Sequence, residues 1–173
     1  VRSVREFEAV LDGLQGVPWA NTVAVDRDGE AFYGDITVSA NVDDAKAVTC
    51  GSVLGAVAFP LLGLPILDGS RSACAWDDDP DAVVPGIFGP SNLPRLFRDD
   101  YVSNSNESDG LSHPDEPLTG FPRILGEEGT ERRLRTRLGV TMIRERLAGT
   151  DGYPGTGFTH DIMKDWLFGS RQY

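Results

Sequence analysis

Asn21-Thr-Val-Ala-Val25, Asp26-Arg-Asp-Gly29 and Glu30-Ala-Phe-Tyr-Gly-Asp-Ile36 run on without a break, and the reading of the fold starts from them. Two runs rich in β-branched and aromatic residues flank a turn sequence whose Gly29 takes positive φ at little cost. The stretch therefore predicts a β-hairpin. Just upstream, Ser3-Val-Arg-Glu6 has the form of a capping box: the Ser3 hydroxyl can accept from the backbone of the residue three positions on, while Glu6 reaches back. Val4, Phe7, Val10, Leu11 and Leu14 then recur at helical spacing, and Gly16, with Pro18 beyond it, is expected to end an amphipathic helix.

Further along, Asn41-Val-Asp-Asp44 is expected to start a short helix through Ala45, Val48, Val53 and Val57, weakened by Gly51 and Gly55. From Pro60 to Pro122 the chain is dense in Gly, Pro, Asp and Asn and reads as long loop, either functional or wrapped over a larger body. Thr130 is expected to cap a helix with Leu134, Leu138, Ile143 and Leu147 on one face and Gly149 past its end. Arg132, Arg133, Arg135 and Arg137 crowd its first two turns, against the preference of the helix dipole. Cations there need a partner, either protein carboxylates such as Glu127 and Glu128 or a ligand anion. A last helix starts at Thr159, with Ile162, Met163, Trp166 and Leu167 on its apolar side.

Composition narrows the classes. At 173 residues, 40% hydrophobic and 25% charged, the chain is globular, with the length of one domain or a large piece of one. A formal charge of −11 repels phosphate backbones and argues against nucleic acid as a partner. The longest apolar stretch, Val53 to Leu67, is broken by Gly55, Pro60, Gly63 and Pro65, so no transmembrane helix is expected. Val1 stands where Met would begin a gene product, and no basic-then-apolar leader follows. The expectation is a chain that begins after processing or inside a longer product. Cys50 and Cys74 lack the short-spaced ligands of a zinc site. A disulfide between them, closing about 25 residues for ~3 kcal/mol, is the preferred reading, with two buried free thiols as the alternative. A disulfide would imply an oxidising compartment.

Few stretches carry chemistry. Asp77-Asp-Asp79 with Asp81 lacks the alternating ligands, central Gly and terminal Glu of a calcium loop and reads as a solvated turn. There is no Gly-x-Ser-x-Gly elbow, zinc-protease motif or phosphate loop. Ser103-Asn-Ser-Asn-Glu-Ser108 differs, because asparagine amides are neutral donors able to stabilise an oxyanion without titrating. On composition alone the segment is a loop with Asx turns.

Four motifs in order change that reading: Trp19-Ala-Asn-Thr-Val-Ala-Val-Asp-Arg-Asp-Gly29, Leu67-Asp-Gly-Ser-Arg-Ser-Ala-Cys-Ala-Trp76, Tyr101-Val-Ser-Asn-Ser-Asn106 and Leu118-Thr-Gly-Phe-Pro-Arg123. Together they resemble the penicillin-amidase family of N-terminal-nucleophile hydrolases, within it the secreted acyl-homoserine-lactone, aculeacin and penicillin V acylases. The resemblance runs over nearly the whole chain. It implies an α+β fold, part of the four-layer αββα N-terminal-nucleophile hydrolase fold. Residues 1–173 would be a partial large-chain domain lacking the N-terminal nucleophile segment. In such enzymes a serine at the start of the large chain attacks the amide carbonyl while its own α-amine acts as base. That serine would lie outside this chain, leaving the chain inactive alone.

Site residues follow from the same resemblance. Asn106 takes the place of the side-chain oxyanion donor, a group whose removal costs ~3–4 kcal/mol in the barrier. Arg132, with Arg133 as runner-up, is the candidate for the arginine that holds that Asn in place from the following helix. Trp19 and Ala20 match positions lining the acyl pocket, with core packing the alternative for Trp19. Glu107-Ser-Asp-Gly110 departs from the family's usual Asp-Ser followed by aromatics, which puts substrate choice in doubt. Implied partners are the remaining large-chain segments, the small chain of the same precursor and a small-molecule acyl amide, with no nucleic acid and no membrane. No cofactor is implied; calcium occurs in relatives, but Asp115 alone is too weak a candidate ligand. The expected location is extracellular or periplasmic. The competing reading is a secreted carbohydrate- or peptide-binding module without chemistry.

Overall fold

A computed structural model describes residues 1–107, 110 and 112–171. They divide into two compact units, Val1–Asn104 with the described residues of 108–130, and Ser105–Glu107 with 131–171.

The first unit contains α1 (Val4–Leu14), β1 (Thr22–Val25), β2 (Ala31–Gly34), α2 (Asp44–Thr49), α3 (Gly55–Leu62) and β3 (Arg95–Arg98). The strands form an antiparallel sheet in the order β1-β2-β3. The predicted hairpin is present, with Thr22 opposite Gly34 and Val25 opposite Ala31. β2 is buried along its whole length, whereas β1 alternates half-buried and exposed residues, as an edge strand does. Phe32 lies 4.8 Å from the Phe97 ring on β3 and joins Val4 and Leu11 of α1 with Ile36, Phe88 and Leu93 in one core. A buried side chain of this size contributes ~1.5–3 kcal/mol.

Asp26 ties the hairpin to the helix: one carboxylate oxygen accepts the Val4 amide of α1, the other the Asp28 and Glu30 amides. Ser3 caps α1 through the Glu6 amide, but Glu6 reaches the Arg2 amide in place of Ser3's own. The helix also ends earlier than Gly16. Gln15 takes the left-handed position (φ 37°) because its buried amide is held from both sides, donating to the Phe88 carbonyl at 2.8 Å and accepting the Val83 amide at 3.0 Å.

The single helix expected from Asn41 is two. Asp43 caps α2 through the Lys46 amide, and the chain then turns at Gly51, which bridges to Leu67. Gly55 at the start of α3 lies so close to the Ile66 carbonyl that a Cβ would clash with its oxygen, so no larger residue fits there without a backbone shift. A disulfide joins Cys50 to Cys74, with Cα atoms 5.4 Å apart, tying the end of α2 to a 3-10 turn at Ser72–Cys74. The stretch read as continuous loop holds β3 and a second 3-10 turn at Pro90–Asn92. Arginines at both ends of β3 hid the strand. Arg95 turns back to Glu8 (2.7 Å) and Asp12 (3.0 Å) of α1.

The second unit holds α4 (Leu134–Ala148) and α5 (His160–Phe168). α4 begins at Leu134 rather than just after Thr130, and its expected apolar face is not its buried one. Leu134 and Leu147 are exposed, while Thr136, Val140 and Arg146 are buried. Arg146 is wholly enclosed and pairs with Asp151 at 3.1 Å. Its Nη2 reaches the carbonyls of Tyr153, Pro154 and Gly155 in the connection to α5. Thr159 caps α5 through the Ile162 amide; Ile162 is buried and Trp166 half-buried against Phe158, but Met163 and Leu167 face outward. The chain thus combines helices with a small sheet in an α+β arrangement. Among the described residues no helix is long and apolar enough to cross a membrane.

Candidate active site

β3 runs into a charged corner that starts the Tyr101–Asn106 segment. Arg98 grips Asp100 with two donors, at 2.9 and 2.7 Å, and reaches Glu116 at 2.6 Å. The Asp100 carboxylate also accepts the Tyr101 amide at 2.6 Å. The Arg98 guanidinium holds the Asp100 carboxyl well below the usual carboxylate range, against a smaller upward push from burial. Beyond the corner the Ser103 amide donates to the Ser112 carbonyl at 2.9 Å. These contacts fix the segment as far as the border of the first unit.

Asn106 lies in the second unit and is exposed, with φ 58°. Asparagine is one of the few residues that adopts this left-handed conformation readily. Arg135, in the first turn of α4, donates to Asn106 Oδ1 at 3.0 Å and, with the same nitrogen, to the Ser105 carbonyl. An arginine on Oδ1 sets the flip of the amide, so the donor side of the group is Nδ2. Glu107 completes the arrangement: its carboxylate accepts the Arg133 amide at 2.7 Å and caps α4 from outside, in place of a side chain on the cap residue.

The arginine that donates to Asn106 Oδ1 is thus Arg135, a residue the resemblance did not single out. Arg132 is half-buried just before the helix, and its carbonyl accepts Arg137 Nε at 2.7 Å. Arg133, the runner-up, has its guanidinium 3.8 Å from Glu107. The helix starts at Leu134, which puts Arg135 in its first turn and Arg132 and Arg133 before it. The crowded cations find protein partners: Arg137 pairs with Glu131. Glu127 pairs with Arg123 at 2.7 Å, and Glu128 accepts the Phe121 amide at 2.8 Å.

Trp19 and Ala20 belong to the first unit, between α1 and β1. Val17 bridges to Thr37 and Asn21 accepts the Tyr33 hydroxyl at 2.7 Å, and the three residues between, Pro18, Trp19 and Ala20, are exposed. Trp19 is 85% exposed, so it is not a core residue of this unit, and Ala20 is exposed beside it. Exposed aromatic surface of that size is the sort that lines a ligand groove or a packed interface.

The acidic run serves the backbone. Asp79 accepts the Gly89 amide and the Asn92 side chain, both at 2.7 Å, Asp81 accepts the Ser91 amide at 3.0 Å, and Asp77 pairs with Lys46. Ser91 donors hold the Asp81 carboxyl below its ordinary value. Among the described residues no three His, Cys, Asp or Glu side chains gather in a way that could hold a metal ion. Asp115 is exposed, and its amide donates to His113 Nδ1 at 3.2 Å.

The family model for penicillin amidase matches residues 1–173, and the chain belongs to the penicillin amidase family. It is 52% identical over 172 residues to aculeacin-A acylase of Actinoplanes utahensis, covering 99% of this chain and 22% of that protein. It is 35% identical over 176 residues to the acyl-homoserine lactone acylase PvdQ of Pseudomonas fluorescens Pf0-1, covering 98% of this chain and 21% of that protein. The PvdQ acylase of Pseudomonas putida KT2440 is 36% identical over 179 residues, covering 97% of this chain and 22% of that protein. The chain thus spans about a fifth of the length of these curated relatives. Its relatives are acylases, and hydrolase chemistry is the property of the family.

Proposed function

We propose that this chain is part of the large chain of a secreted acylase that hydrolyses linear amide bonds through an acyl-serine intermediate. The serine is supplied by polypeptide outside residues 1–173. Its Oγ attacks the amide carbonyl carbon while its α-amine takes the hydroxyl proton. The carbonyl oxygen becomes an oxyanion, and Asn106 Nδ2 donates to it. Collapse breaks the C–N bond, the amine leaves with the proton, and water then hydrolyses the acyl ester to the carboxylic acid. The carrying observation is the Arg135 donor on Asn106 Oδ1. It orients the carboxamide so that its N–H side is presented, which is what a preorganised oxyanion donor requires.

The named relatives act on aculeacin A and on acyl-homoserine lactones, so the substrate class is an N-acyl amide of lipopeptide, homoserine-lactone or penicillin type. Trp19 and Ala20 would line its acyl pocket. The Cys50–Cys74 disulfide supports an extracellular or periplasmic location. Partners are the remaining large-chain segments and the small chain, assembled in the four-layer αββα fold. Family membership favours this reading over a binding module for carbohydrate or peptide.

The test is hydrolysis of a chromogenic acyl amide by the full-length, processed polypeptide. Asn106→Ala should lower kcat at least about a hundredfold, the loss typical of one oxyanion donor, with little change in KM. Near-normal kcat in that variant removes Asn106 from the mechanism. Residues 1–173 alone should show no turnover.

A further inference from the structure

α3 has an inner face that the first unit fills and an outer face that it leaves open. On the inner side Gly55 lies against the Ile66 carbonyl, and Ala58 and Phe59 are buried, Phe59 with Val42 and Ala47. The outer side carries Val57 and Leu61, one turn apart, with Val53 and Leu54 leading into the helix and Leu62 and Leu64 at its end. All six are more than half exposed, and Val53 is 93% exposed. From Gly51 to Leu67 the sequence holds no charged residue. A helix that is apolar all round belongs inside a larger body. Single exposed aliphatics need no explanation, but a continuous patch of them marks a contact surface.

A membrane, a second copy of the chain or further polypeptide of the same protein could cover such a face. Charge argues against the membrane. Helices that lie on a bilayer set a face rich in Lys and Arg beside the apolar one, and α3 has no charged residue on any face. Arg123, which donates to the Pro60 carbonyl at 2.9 Å, is paired with Glu127, while Lys46 and Arg71 are paired with Asp77 and Asp68. These cations are already neutralised, and a formal charge of −11 repels anionic lipid. Length favours the same protein. The chain spans about a fifth of its curated relatives, which leaves far more polypeptide than one helix face needs. Composition agrees: an uncharged aliphatic surface is that of a permanent interface, which resembles a domain core cut in half, and lacks the polar character of a dissociable contact.

We propose that the outer face of α3, with Val53–Leu54 and Leu62–Leu64 at its ends, is a permanent docking surface for an apolar face of the precursor polypeptide outside residues 1–173. This rests on one part of the acylase reading, the placement of residues 1–173 within a longer polypeptide, and it uses neither Asn106 nor the reaction. The partner face presents aliphatic or aromatic side chains to Val57 and Leu61. It sets no lone carboxylate or ammonium there, because a buried charge without a partner is strongly disfavoured.

The test uses the full-length processed protein and needs no turnover. Photolabelling with a small diazirine, read on the peptide that carries residues 51–67, compares the native with the urea-unfolded protein. A docked face should label at least about fivefold less when native, whereas side chains left more than half exposed would differ by only about twofold. Benzoylphenylalanine in place of Leu61 then identifies the cover. Irradiation should join it to precursor residues outside 1–173, with a yield unchanged by about tenfold dilution. If that substitution prevents maturation, the crosslinker in place of Val53, at the margin of the patch, is read in the same way. A native drop in labelling smaller than about fivefold overturns the proposal. So does a crosslinker that captures nothing, captures only residues within 1–173, or captures a second copy with a yield that falls on dilution. Protection that appears only when phosphatidylcholine–phosphatidylglycerol vesicles are added also overturns it. A protected α3 face in a protein that hydrolyses no acyl amide sinks the acylase reading and leaves the docking surface standing. An active, Asn106-dependent enzyme whose α3 face labels freely sinks only the docking.

Discussion

The wholly enclosed ion pair between Arg146 and Asp151 gives a sharp measure of what holds the second unit together. Arg146 sits in the last turn of α4, where the chain must leave the helix at Gly149 and cross to α5. The side chain bridges that exit: one end of the guanidinium faces Asp151 at 3.1 Å, and Nη2 reaches three successive carbonyls from Tyr153 to Gly155. Asp151 also accepts the Tyr153 amide at 3.2 Å. Replacing Asp151 by Asn preserves shape and leaves a buried cation without its counter-charge, a change that costs ~3–5 kcal/mol. Arg146→Met strands the carboxylate in the same way and orphans the carbonyls as well. The pair of substitutions Arg146→Met with Asp151→Leu removes both charges, so the large electrostatic penalty disappears and what remains is the loss of partners for the carbonyls and the Tyr153 amide, ~1–3 kcal/mol for a buried group left unmatched.

Hydrogen exchange on the full-length protein reads this locally, without requiring the whole molecule to unfold in one step. At ~1.4 kcal/mol per factor of ten, Asp151→Asn should accelerate exchange of the α4 and α5 amides by about a hundredfold or more, up to the limit set by opening of the unit. The double variant should be slower to exchange than either single one. Single variants that change protection by less than about fivefold, or a double variant whose effect is the sum of the two, refute the view that the pair is a coupled buried unit.

Other expectations concern the first unit. Reducing the Cys50–Cys74 bridge should cost ~3 kcal/mol, seen as a lower melting temperature under reductant that Cys50→Ala/Cys74→Ala reproduces. Gln15→Ala should cost ~1–3 kcal/mol by leaving the buried Phe88 carbonyl and Val83 amide unmatched, whereas Gln15→Gly, although at ease at φ 37°, should not recover it; stability by denaturant titration decides. For Asp100, the folded-state pKa is lowered by Arg98, so its stabilisation is present above the unfolded carboxylate value of ~4 and is lost as pH falls through the lowered folded value. Asp100→Asn should therefore flatten the acid limb of a stability-versus-pH curve below about pH 4, and an unchanged limb would show that Arg98 is not its source.

Much of the fold was legible because local chemistry and tertiary structure agree there. The hairpin at Asp26–Gly29 and the Thr159 cap of α5 carry their own turn and cap residues, and the structure uses them as read. What was not legible depends on partners distant in sequence. Gln15 ends α1 because of Phe88 and Val83, more than sixty residues on, and no local signal names those partners. β3 escaped notice because Arg95 and Arg98 look like solvent residues until Glu8, Asp12, Asp100 and Glu116 close around them.

The same physics explains why a sequence motif points to Asn106 while no local pattern names the arginine on its Oδ1. Asn106 is marked by its neighbours in the Tyr101–Asn106 motif, a purely local pattern. The arginine is marked only by where α4 starts, and that is decided by Glu107 accepting the Arg133 amide. Once Glu107 caps the helix there, Leu134 becomes its first residue and Arg135 falls in its first turn, with Nη2 on Asn106 Oδ1. Glu107→Gln should therefore act on the site through the helix start: the amide keeps an acceptor but loses the charge that the dipole favours. An Arg135–Asn106 contact that persists unchanged in Glu107→Ala, read from the Asn106 side-chain amide resonances, would show that the cap does not set the register of the arginine.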